Sequence, residues 1–396
     1  MSNLLSKASI LLTPTATSDG KLHNIKPNTT TGDFTFTRGT AATRVNSNGL
    51  IESVASGLPR IDFTGGTGQV LLEPASTNLE VSSTDLSTGW SVASSATQQV
   101  ETGINPFGVS GNIKRVSSAT NNPPNWTDSS DSLKKQYTVT ATDPASFFTF
   151  SVYVKSAGST TVNIQLRDNT LGPSVTTGAI SLTSDWQRVT ISKQFGTTTT
   201  RVGVTIAGTD GDILLFGAQF ENSSFATSLI ETSGTTATRN KDEANSSGDS
   251  SLISSTEGVL YCEFQAFDSS TKEREIQLSD GTADNRVSIF LGGDSNRIRA
   301  QVKVASVAVY NSFTTSFDVK NFNKIAVKYK AQDFGFFING TQININLAQT
   351  TIFSADTLHQ LNLLRKGTGN QFEGKIKTIA VFKEALTNAQ LISLTS

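Results

Sequence analysis

The sequence predicts an all-β protein: two β-sandwich (jelly-roll) domains in tandem, preceded by an irregular N-terminal arm. Of its 396 residues only 16% are charged, whereas 23 are Phe, so helix-favouring straight chains are scarce and core-forming aromatics are not. Apolar residues alternate with polar ones in many short segments, as strands with one buried face require. Gly, Asn, Asp and Thr separate these segments at intervals of roughly 10 to 20 residues, a spacing typical of sandwiches.

The sharpest alternation lies in residues 81–222, which we predict to form the first sandwich. In "FFTFSVYVKS" every second residue from Phe148 to Val154 is apolar. The segments "TTVNIQLRD" and "RVGVTIAG" alternate in the same way. The segment "DILLFGAQFE" is apolar on both faces and therefore predicts a central strand.

Residues 256–396 predict the second sandwich, from "GVLYCEFQAF" to "GKIKTIAVF". Asn339-Gly340 stands between two alternating segments and indicates a type I′ hairpin. Thr387 followed by Gln390 predicts a capping box on a short C-terminal helix. Cys262 shares a face with apolar neighbours, so we expect its thiol to be buried and inert.

Polar chain surrounds the two predicted sandwiches. Residues 223–255 predict a linker or strap, so that each sandwich should fold separately. Residues 1–80 contain too few periodic strands to close a core and predict an attachment arm that also holds copies of the chain together. Its apolar clusters comprise Ile10, Leu11, Leu12, Phe34, Phe36, Ile61 and Phe63.

Charge and cysteine content exclude several classes of function. The net charge of −1 disfavours nucleic-acid binding, which needs clustered positive charge. The single cysteine permits no intrachain disulfide. No apolar run reaches about 18 residues, so we expect no membrane insertion. The first residues lack the basic and apolar regions of a signal peptide.

No catalytic constellation is visible, and we predict that the protein is not an enzyme. Its two histidines, His23 and His359, lie in different segments, with neither a zinc pattern nor a nucleophile motif around them. Paired carboxylates cleave glycans without histidine, but no local spacing singles out such a pair.

Of three tryptophans, one suggests a ligand. Trp90 and Trp186 adjoin predicted strands and are interpreted as structural. Trp126 stands in the Asn- and Pro-rich loop "NNPPNWTDSSDS". An aromatic ring beside amides and carboxylates suits a sugar, so Trp126, Asn125 and Asp128 are candidate glycan contacts. The alternative is that Trp126 folds back as a plug or meets a neighbouring subunit.

A structural calcium ion is the one cofactor for which the sequence offers candidates. Calcium needs several oxygen ligands. Two loops carry paired aspartates; the candidates are Asp210, Asp212, Asp280 and Asp284. Asp-Gly is also ordinary turn chemistry, and that alternative stays open.

Several motifs resemble those of bacteriophage virion proteins of the tail- and head-fibre type. They are "VLLEPASTNL" (70–79), Trp90, "DWQRVTI" (185–191) and "GAQFENSSFATSLIETSGTTATRNKD" (217–242). In that family the middle segment is a jelly roll similar to carbohydrate-binding modules. The last segment resembles a concanavalin-A-like, LamG-type sandwich.

The resemblance implies a structural component displayed on the outside of a virion. Its expected partners are other virion proteins, bound through residues 1–80, and glycans of the host surface or environment, bound with avidity by many copies. Phage fibres are commonly trimers, so a homotrimer is expected. The Thr-Arg stretches around Arg44 and Arg239 are interpreted as straps that these arginines pin at module boundaries. The alternatives are a polysaccharide depolymerase and a purely structural component without a ligand.

Overall fold

The computed structural model describes residues 2–14, 17–18, 21–27, 29–92, 96–117, 133–139, 146–168, 174–196, 198–209, 211–365 and 370–396. Short elements come first: α1 Ser2–Leu5, β1 Ile10–Leu12, β2 Thr17–Ser18, β3 Lys21–Leu22, a 3-10 turn Thr30–Gly32, β4 Thr35–Thr37, β5 Ala42–Val45, β6 Ile51–Val54, β7 Arg60–Asp62, β8 Gln69–Leu72, β9 Ser76–Asn78 and β10 Ser91–Val92.

Longer strands follow: β11 Thr97–Ile104, β12 Ser110–Ser117, β13 Leu133–Thr138, β14 Phe147–Ala157, β15 Thr161–Asp168, β16 Ser174–Thr176, β17 Ile180–Ser181, β18 Gln187–Gln194, β19 Arg201–Thr209, β20 Asp212–Glu221, β21 Ala237–Arg239 and β22 Glu243–Asn245. The last elements are β23 Glu257–Ala266, β24 Arg274–Ser279, β25 Arg286–Leu291, β26 Ile298–Val304, β27 Val307–Thr314, β28 Asn323–Lys330, β29 Phe334–Ile338, β30 Thr341–Asn346, β31 Gln360–Asn362, β32 Leu364–Arg365, β33 Asn370–Gln371, β34 Gly374–Phe382 and α2 Asn388–Thr395.

The chain forms two compact units, and the predicted all-β class is confirmed. The first unit, called the C-terminal sandwich below, comprises Met1–Ala41, Val54–Pro74 and Lys241–Ser396. The second, called the middle sandwich, comprises Ala42–Ser53 and Ala75–Asn240. Among the described residues no helix is both long and apolar enough to cross a membrane.

The middle sandwich is built from two sheets with the strand orders β10-β13-β19-β15-β16 and β11-β12-β20-β14-β18, while β17 pairs with β15. The alternation predicted for β14 is confirmed, because Phe148, Phe150, Val152 and Val154 are all buried in one core cluster. Strand β20 lies between β12 and β14 and is buried along nearly its whole length, as its unbroken apolar sequence predicts.

The C-terminal sandwich also has two sheets. The larger has the order β30-β29-β28-β23-β34-β8-β7, with β1 also paired to β34. The smaller has the order β27-β26-β25-β24-β31. Between them lies a core in which Cys262 is fully buried, as predicted. Burial raises the pKa of its thiol well above the ordinary value, which keeps it protonated.

The prediction that residues 1–80 form a separate arm is wrong. Strand β1 pairs with β34, placing Ile10 opposite Val381, and β8 pairs with the same strand further along. Residues 1–41 and 54–74 thus complete the C-terminal sandwich, and 42–53 belong to the other unit. Short segments without periodicity are stable here because a distant strand supplies their hydrogen bonds.

The apolar residues assigned to the arm are core residues of this sandwich. Ile10, Leu12, Phe34 and Ile61 are buried in its main cluster, and Phe36 and Phe63 pack against that cluster. Leu11 is buried in a second cluster of the same unit. Each such side chain contributes about 1.5–3 kcal/mol by leaving water. They therefore provide no exposed apolar patch for oligomerisation.

The predicted strap, residues 223–255, is divided between the units. Strand β21 pairs with β9 in the middle sandwich, whereas β22 pairs with β4 in the C-terminal sandwich. Further along, the predicted hairpin at Asn339-Gly340 is confirmed by positive φ angles at both residues. The capping box at the start of α2 is confirmed too: the side chains of Thr387 and Gln390 each accept the other residue's backbone N–H.

Candidate functional site

The candidate glycan residues Trp126, Asn125 and Asp128 fall in residues 118–132, outside the described residues. The other two tryptophans are structural, as predicted. Trp90 is buried in the core of the middle sandwich. Trp186 packs against a smaller cluster at the rim, and its Nε1 donates to the carbonyl of Ile104 at 2.9 Å.

The structure gives three of the four candidate calcium ligands other partners, and Asp210 lies outside the described residues. Asp212 accepts from Arg115 at 3.1 Å. Asp280 accepts from the backbone and hydroxyl of Thr282, at 2.9 and 2.6 Å. Asp284 accepts from Ser306. No group of three or more His, Cys, Asp or Glu suited to a metal occurs in the described part of the chain.

The Thr-Arg stretches lie beside a buried ion network, but other residues than those predicted form it. Asp242 accepts from Arg38 at 2.9 Å and, through its other oxygen, from Arg60. Arg60 also pairs with Glu73 at 2.8 Å. Burial opposes the charge of Arg60, but Glu73 and Asp242 raise its pKa above the ordinary value. We call these four residues the motif network.

The two arginines predicted to pin the straps have different roles. Arg44 makes a partly exposed pair with Glu52 at 3.2 Å. Arg239 is buried, and its Nη1 donates to the carbonyl of the adjacent Asn240 at 3.3 Å. Arg44 thus pairs with a carboxylate and Arg239 with a carbonyl, the two kinds of partner expected of them. In the C-terminal sandwich, the bond between Arg38 and Asp242 holds the corresponding polar segments together.

Polar residues of the other motifs are buried and structural. Asn78, from "ASTNL", donates to the carbonyls of Ala218 and Ile230 and accepts from the backbone of Phe220. Glu221, from "GAQFE", accepts from the backbone and hydroxyl of Thr227 at 3.0 and 2.6 Å. These bonds tie the end of β20 to the chain that follows it.

A second buried carboxylate, Glu80, stands in the middle sandwich. Its oxygens accept from Lys135 at 2.8 Å, from Tyr137 at 2.6 Å and from the indole of Trp90 at 3.0 Å. Burial first, and Glu80 second, raise the pKa of Tyr137, which keeps the phenol protonated as a donor. The backbone N–H of Ser82 is a fourth donor at 2.9 Å, so the carboxylate is satisfied, which marks this group as structural.

The outer face of the smaller sheet in the C-terminal sandwich is different. Strands β25 and β26 direct alternate apolar residues into the core, such as Val287, Ile289 and Ala300. Their other residues form cross-strand pairs on the opposite face: Arg286 with Lys303, Ser288 with Gln301, and Phe290 with Arg299. On β24, Glu275 and Gln277 continue two of these rows.

A cleft of about 310 Å³ opens on this face and is lined by Glu273, Arg286, Phe290, Arg299, Gln301 and Lys303. We call it the sheet cleft. Its volume is at the lower end of the range for small-molecule sites, roughly 300–1,000 Å³. Its lining combines one aromatic ring, an amide and charged groups of both signs.

The polar groups of the sheet cleft are partly held in place by one another. Arg286 contacts Glu275 at 3.0 Å, an ion pair whose angle is unsuited to a hydrogen bond, and donates to Gln301 at 2.7 Å. The guanidinium carbon of Arg299 stands 5.6 Å from the ring centre of Phe290, within the range of a cation–π contact. Arg286 is therefore held in a fixed orientation, and the guanidinium of Arg299 lies against the buried ring of Phe290.

Two buried amides on β24 and beside it are incompletely paired. Gln277 is fully buried, yet its Oε1 makes no hydrogen bond within the described residues. Gln371, on the β32–β33 hairpin beside β24, has a buried amide of which neither atom finds a partner there. Burial of unpaired amide atoms costs free energy, so we expect a ligand or a water molecule to hydrogen-bond to them.

No sequence motif marks the residues of the sheet cleft. The segments "RVSIFL" and "RIRAQVKV" show ordinary alternation, which predicts a solvated outer face. The available signal was the composition of that face: Arg, Ser and Phe on one strand opposite Arg, Gln and Lys on the next. A Phe is not expected on the solvent-exposed face of a sheet.

A second cleft, of about 230 Å³, lies in the middle sandwich. It is lined mostly by small polar residues: Ala75, Ser76, Thr77, Leu79, Asn222 and Thr238. Thr77 and Thr238 share a hydrogen bond across it at 2.7 Å. It contains neither a charge nor an aromatic ring, so it ranks below the sheet cleft as a candidate.

Part of the C-terminal sandwich matches a known family. Residues 264–392 match the Laminin_G_3 model, described as the concanavalin A-like lectin/glucanases superfamily. All six residues that line the sheet cleft lie within this range. Among curated proteins, none matches this chain.

Solved structures with similar folds include two bacterial carbohydrate-binding domains and a domain of an arabinanase. The Ruminococcus gnavus IT-sialidase CBM40 bound to α2,3-sialyllactose has a TM-score of 0.33 and 15% identity, covering 38% of this chain and 94% of that one. Domain 4 of the Geobacillus stearothermophilus arabinanase AbnA has a TM-score of 0.33 and 15% identity, covering 39% and 73%. The CBM22-1 xylan-binding domain of Paenibacillus barcinonensis Xyn10C has a TM-score of 0.26 and 16% identity, covering 38% and 94%.

Proposed function

We propose that this protein binds glycans through the sheet cleft of its C-terminal sandwich. The observation that carries the proposal is the lining itself: the ring of Phe290 together with the polar side chains of Arg299 and Gln301, in a cleft of about 310 Å³. Sugar rings stack on aromatic faces, and their hydroxyls accept and donate hydrogen bonds to such side chains. The family match over residues 264–392 supports this class of ligand.

Binding is tested by electrophoresis of the full chain through gels that contain individual polysaccharides. We expect at least one polysaccharide to retard the protein, and Gln301→Ala to weaken retardation about tenfold or more. The matched control is Gln342→Ala, the same truncation on exposed strand β30. Equal retardation of both variants would place binding elsewhere, and the first alternative to examine is the predicted loop of Trp126.

Catalysis is tested in the same samples. We predict that the bound polysaccharide stays intact, because the buried carboxylate beside the cleft, Glu275, is paired with Arg286 rather than exposed to a substrate. Release of new reducing ends would favour the depolymerase instead. In that case Glu273→Gln, at the rim of the cleft, should abolish the release.

The proposed biological setting is the exterior of a phage particle, as the sequence motifs suggest. There the chain would be a fibre or decoration component, assembled as a homotrimer that binds host or environmental glycans with avidity. Labelled antibodies on purified virions test the location, and light scattering tests the number of copies. A purely structural component would be incorporated into virions but bind no glycan in the gels.

A further inference from the structure

The sheet cleft places two cations directly opposite each other. Arg286 on β25 and Lys303 on β26 are cross-strand neighbours on the same face. Like charges in this position repel, and a sheet gains nothing from them structurally. A local arrangement that opposes stability is expected where a ligand uses it.

Of the two cations, only Arg286 has an ion-pair partner among the described residues. The guanidinium of Arg286 has Glu275 at 3.0 Å. Lys303 is half-buried and forms no ion pair within the described residues. The pairing of β26 with β27 shifts register between Val302 and Lys303. Lys303 thus lines the cleft without an ion pair among the described residues.

Arg299 supplies a third cation, two residues before Gln301 on the same strand. Its guanidinium lies over the ring of Phe290 at 5.6 Å, which orients its planar face. A guanidinium binds a carboxylate with two parallel hydrogen bonds, whereas an ammonium acts as a point charge. Phe290 itself is buried, so it fixes the position of Arg299, and the two cations together suit a planar anion at the cleft.

From this arrangement we infer that the sheet cleft recognises an acidic sugar, and that Lys303 and Arg299 bind its carboxylate. The inference rests on the proposed glycan binding and adds the class of sugar. Arg286, held by Glu275 and Gln301, is a positioning residue that keeps Gln301 in the cleft.

The experiment compares polysaccharides that differ only in the carboxylate. Polygalacturonate, alginate and hyaluronate are each tested beside a carboxyl-reduced preparation of the same polymer, with dextran as a neutral polymer and dextran sulfate as a general polyanion. We expect one acidic polymer to bind the full chain at least about tenfold more tightly than its reduced form, with an affinity that falls as salt is added.

Variants assign that preference to the cleft. Lys303→Gln and Arg299→Gln should each lose about tenfold for the acidic polymer and little for the reduced one, and Lys303→Arg should retain binding. Lys320→Gln, an exposed lysine on the same unit, is the matched charge control.

The outcomes separate the two proposals. Equal binding of acidic and reduced polymers would overturn the carboxylate inference and keep glycan binding. Binding of dextran sulfate as tight as that of the uronates would also overturn it, because the cleft would then be a general anion site. If no polysaccharide binds, both proposals fall.

Discussion

The motif network and the sheet cleft are two polar regions of the same sandwich, and they arrange their charges in opposite ways. In the network Arg38 and Arg60 alternate with Asp242 and Glu73, and each buried charge meets an opposite one at hydrogen-bonding distance. In the cleft Arg286 faces Lys303 across the strands. In the first arrangement every charge has an opposite partner, whereas in the second Lys303 forms no ion pair within the described residues.

This difference distinguishes residues that hold the fold together from residues that we propose bind a ligand. Buried charges are tolerated only when paired and hydrogen-bonded, so a complete network indicates that its residues hold the fold. Unpaired or like-charged groups at a cleft are left for a partner outside the chain. The motifs that are most conspicuous in the sequence thus belong to the scaffold, and the candidate site lies where the sequence shows no motif.

The largest expected effect comes from removing the segments that contribute three of the four residues of the motif network. A fragment of residues 241–396 keeps the sheet cleft but lacks Arg38, Arg60, Glu73 and the strands β1, β7 and β8. We expect it to be unfolded by circular dichroism, because the missing strands bury core residues such as Ile10 and Leu12. The full chain nicked between residues 223 and 256 is the control, and its pieces should stay associated. A folded isolated fragment would contradict the discontinuous unit described above.

Asp242→Asn should destabilise the C-terminal sandwich by about 3–5 kcal/mol, because it leaves two buried guanidinium groups without their shared carboxylate. Urea denaturation of the full chain measures the loss. Glu52→Gln is the matched control: it also removes one negative charge beside an arginine, but this pair is partly exposed and should contribute about 0–1 kcal/mol. Similar losses in both variants would mean that the motif network is not the stabilising element we describe.

The sequence was sufficient for elements whose signal is local. The alternation from Phe148 to Val154, the Asn339-Gly340 hairpin and the capping box at Thr387 each depend on neighbouring residues, and each was predicted. The pairing of β1 with β34 was not, because three-residue strands have no period and their partner is some 370 residues away. The cleft was missed for a related reason: Arg286 and Lys303 become neighbours only through the register of two strands.

A smaller effect, dependent on pH, links the cleft to the loop beside it. Asp280 accepts from Asn285 at 2.8 Å, and Asn285 accepts from the backbone of Ala305 at 2.8 Å. Ala305 and Ser306, the turn after Lys303, both have positive φ, which is strained for these residues. Although partial burial opposes it, hydrogen bonds from Thr282 and Asn285 lower the pKa of Asp280 below its ordinary value.

Since the folded pKa is lowered, the carboxylate contributes stability above pH 3.8, and this contribution is lost as the pH falls through the folded value. Asp280→Asn should therefore be less stable than the native chain at pH 6, and the difference should shrink towards pH 3. Urea midpoints at the two pH values measure it. A difference that is the same at both would show that the carboxylate's charge does not hold the turn.

The smallest expected effect has the opposite sign. Lys303→Gln should raise the stability of the C-terminal sandwich by about 0.2–0.5 kcal/mol, because it removes a cation directly opposite Arg286 and no described ion pair is lost. Arg286→Gln should instead cost about 1–3 kcal/mol, since Glu275 is left buried without its cation. Lys320→Gln is expected to change nothing measurable. Urea midpoints of the three variants, compared in the absence of glycan, decide the matter. If Lys303→Gln lowers stability as Arg286→Gln does, Lys303 belongs to the scaffold like the residues of the motif network, and the contrast between the two regions disappears.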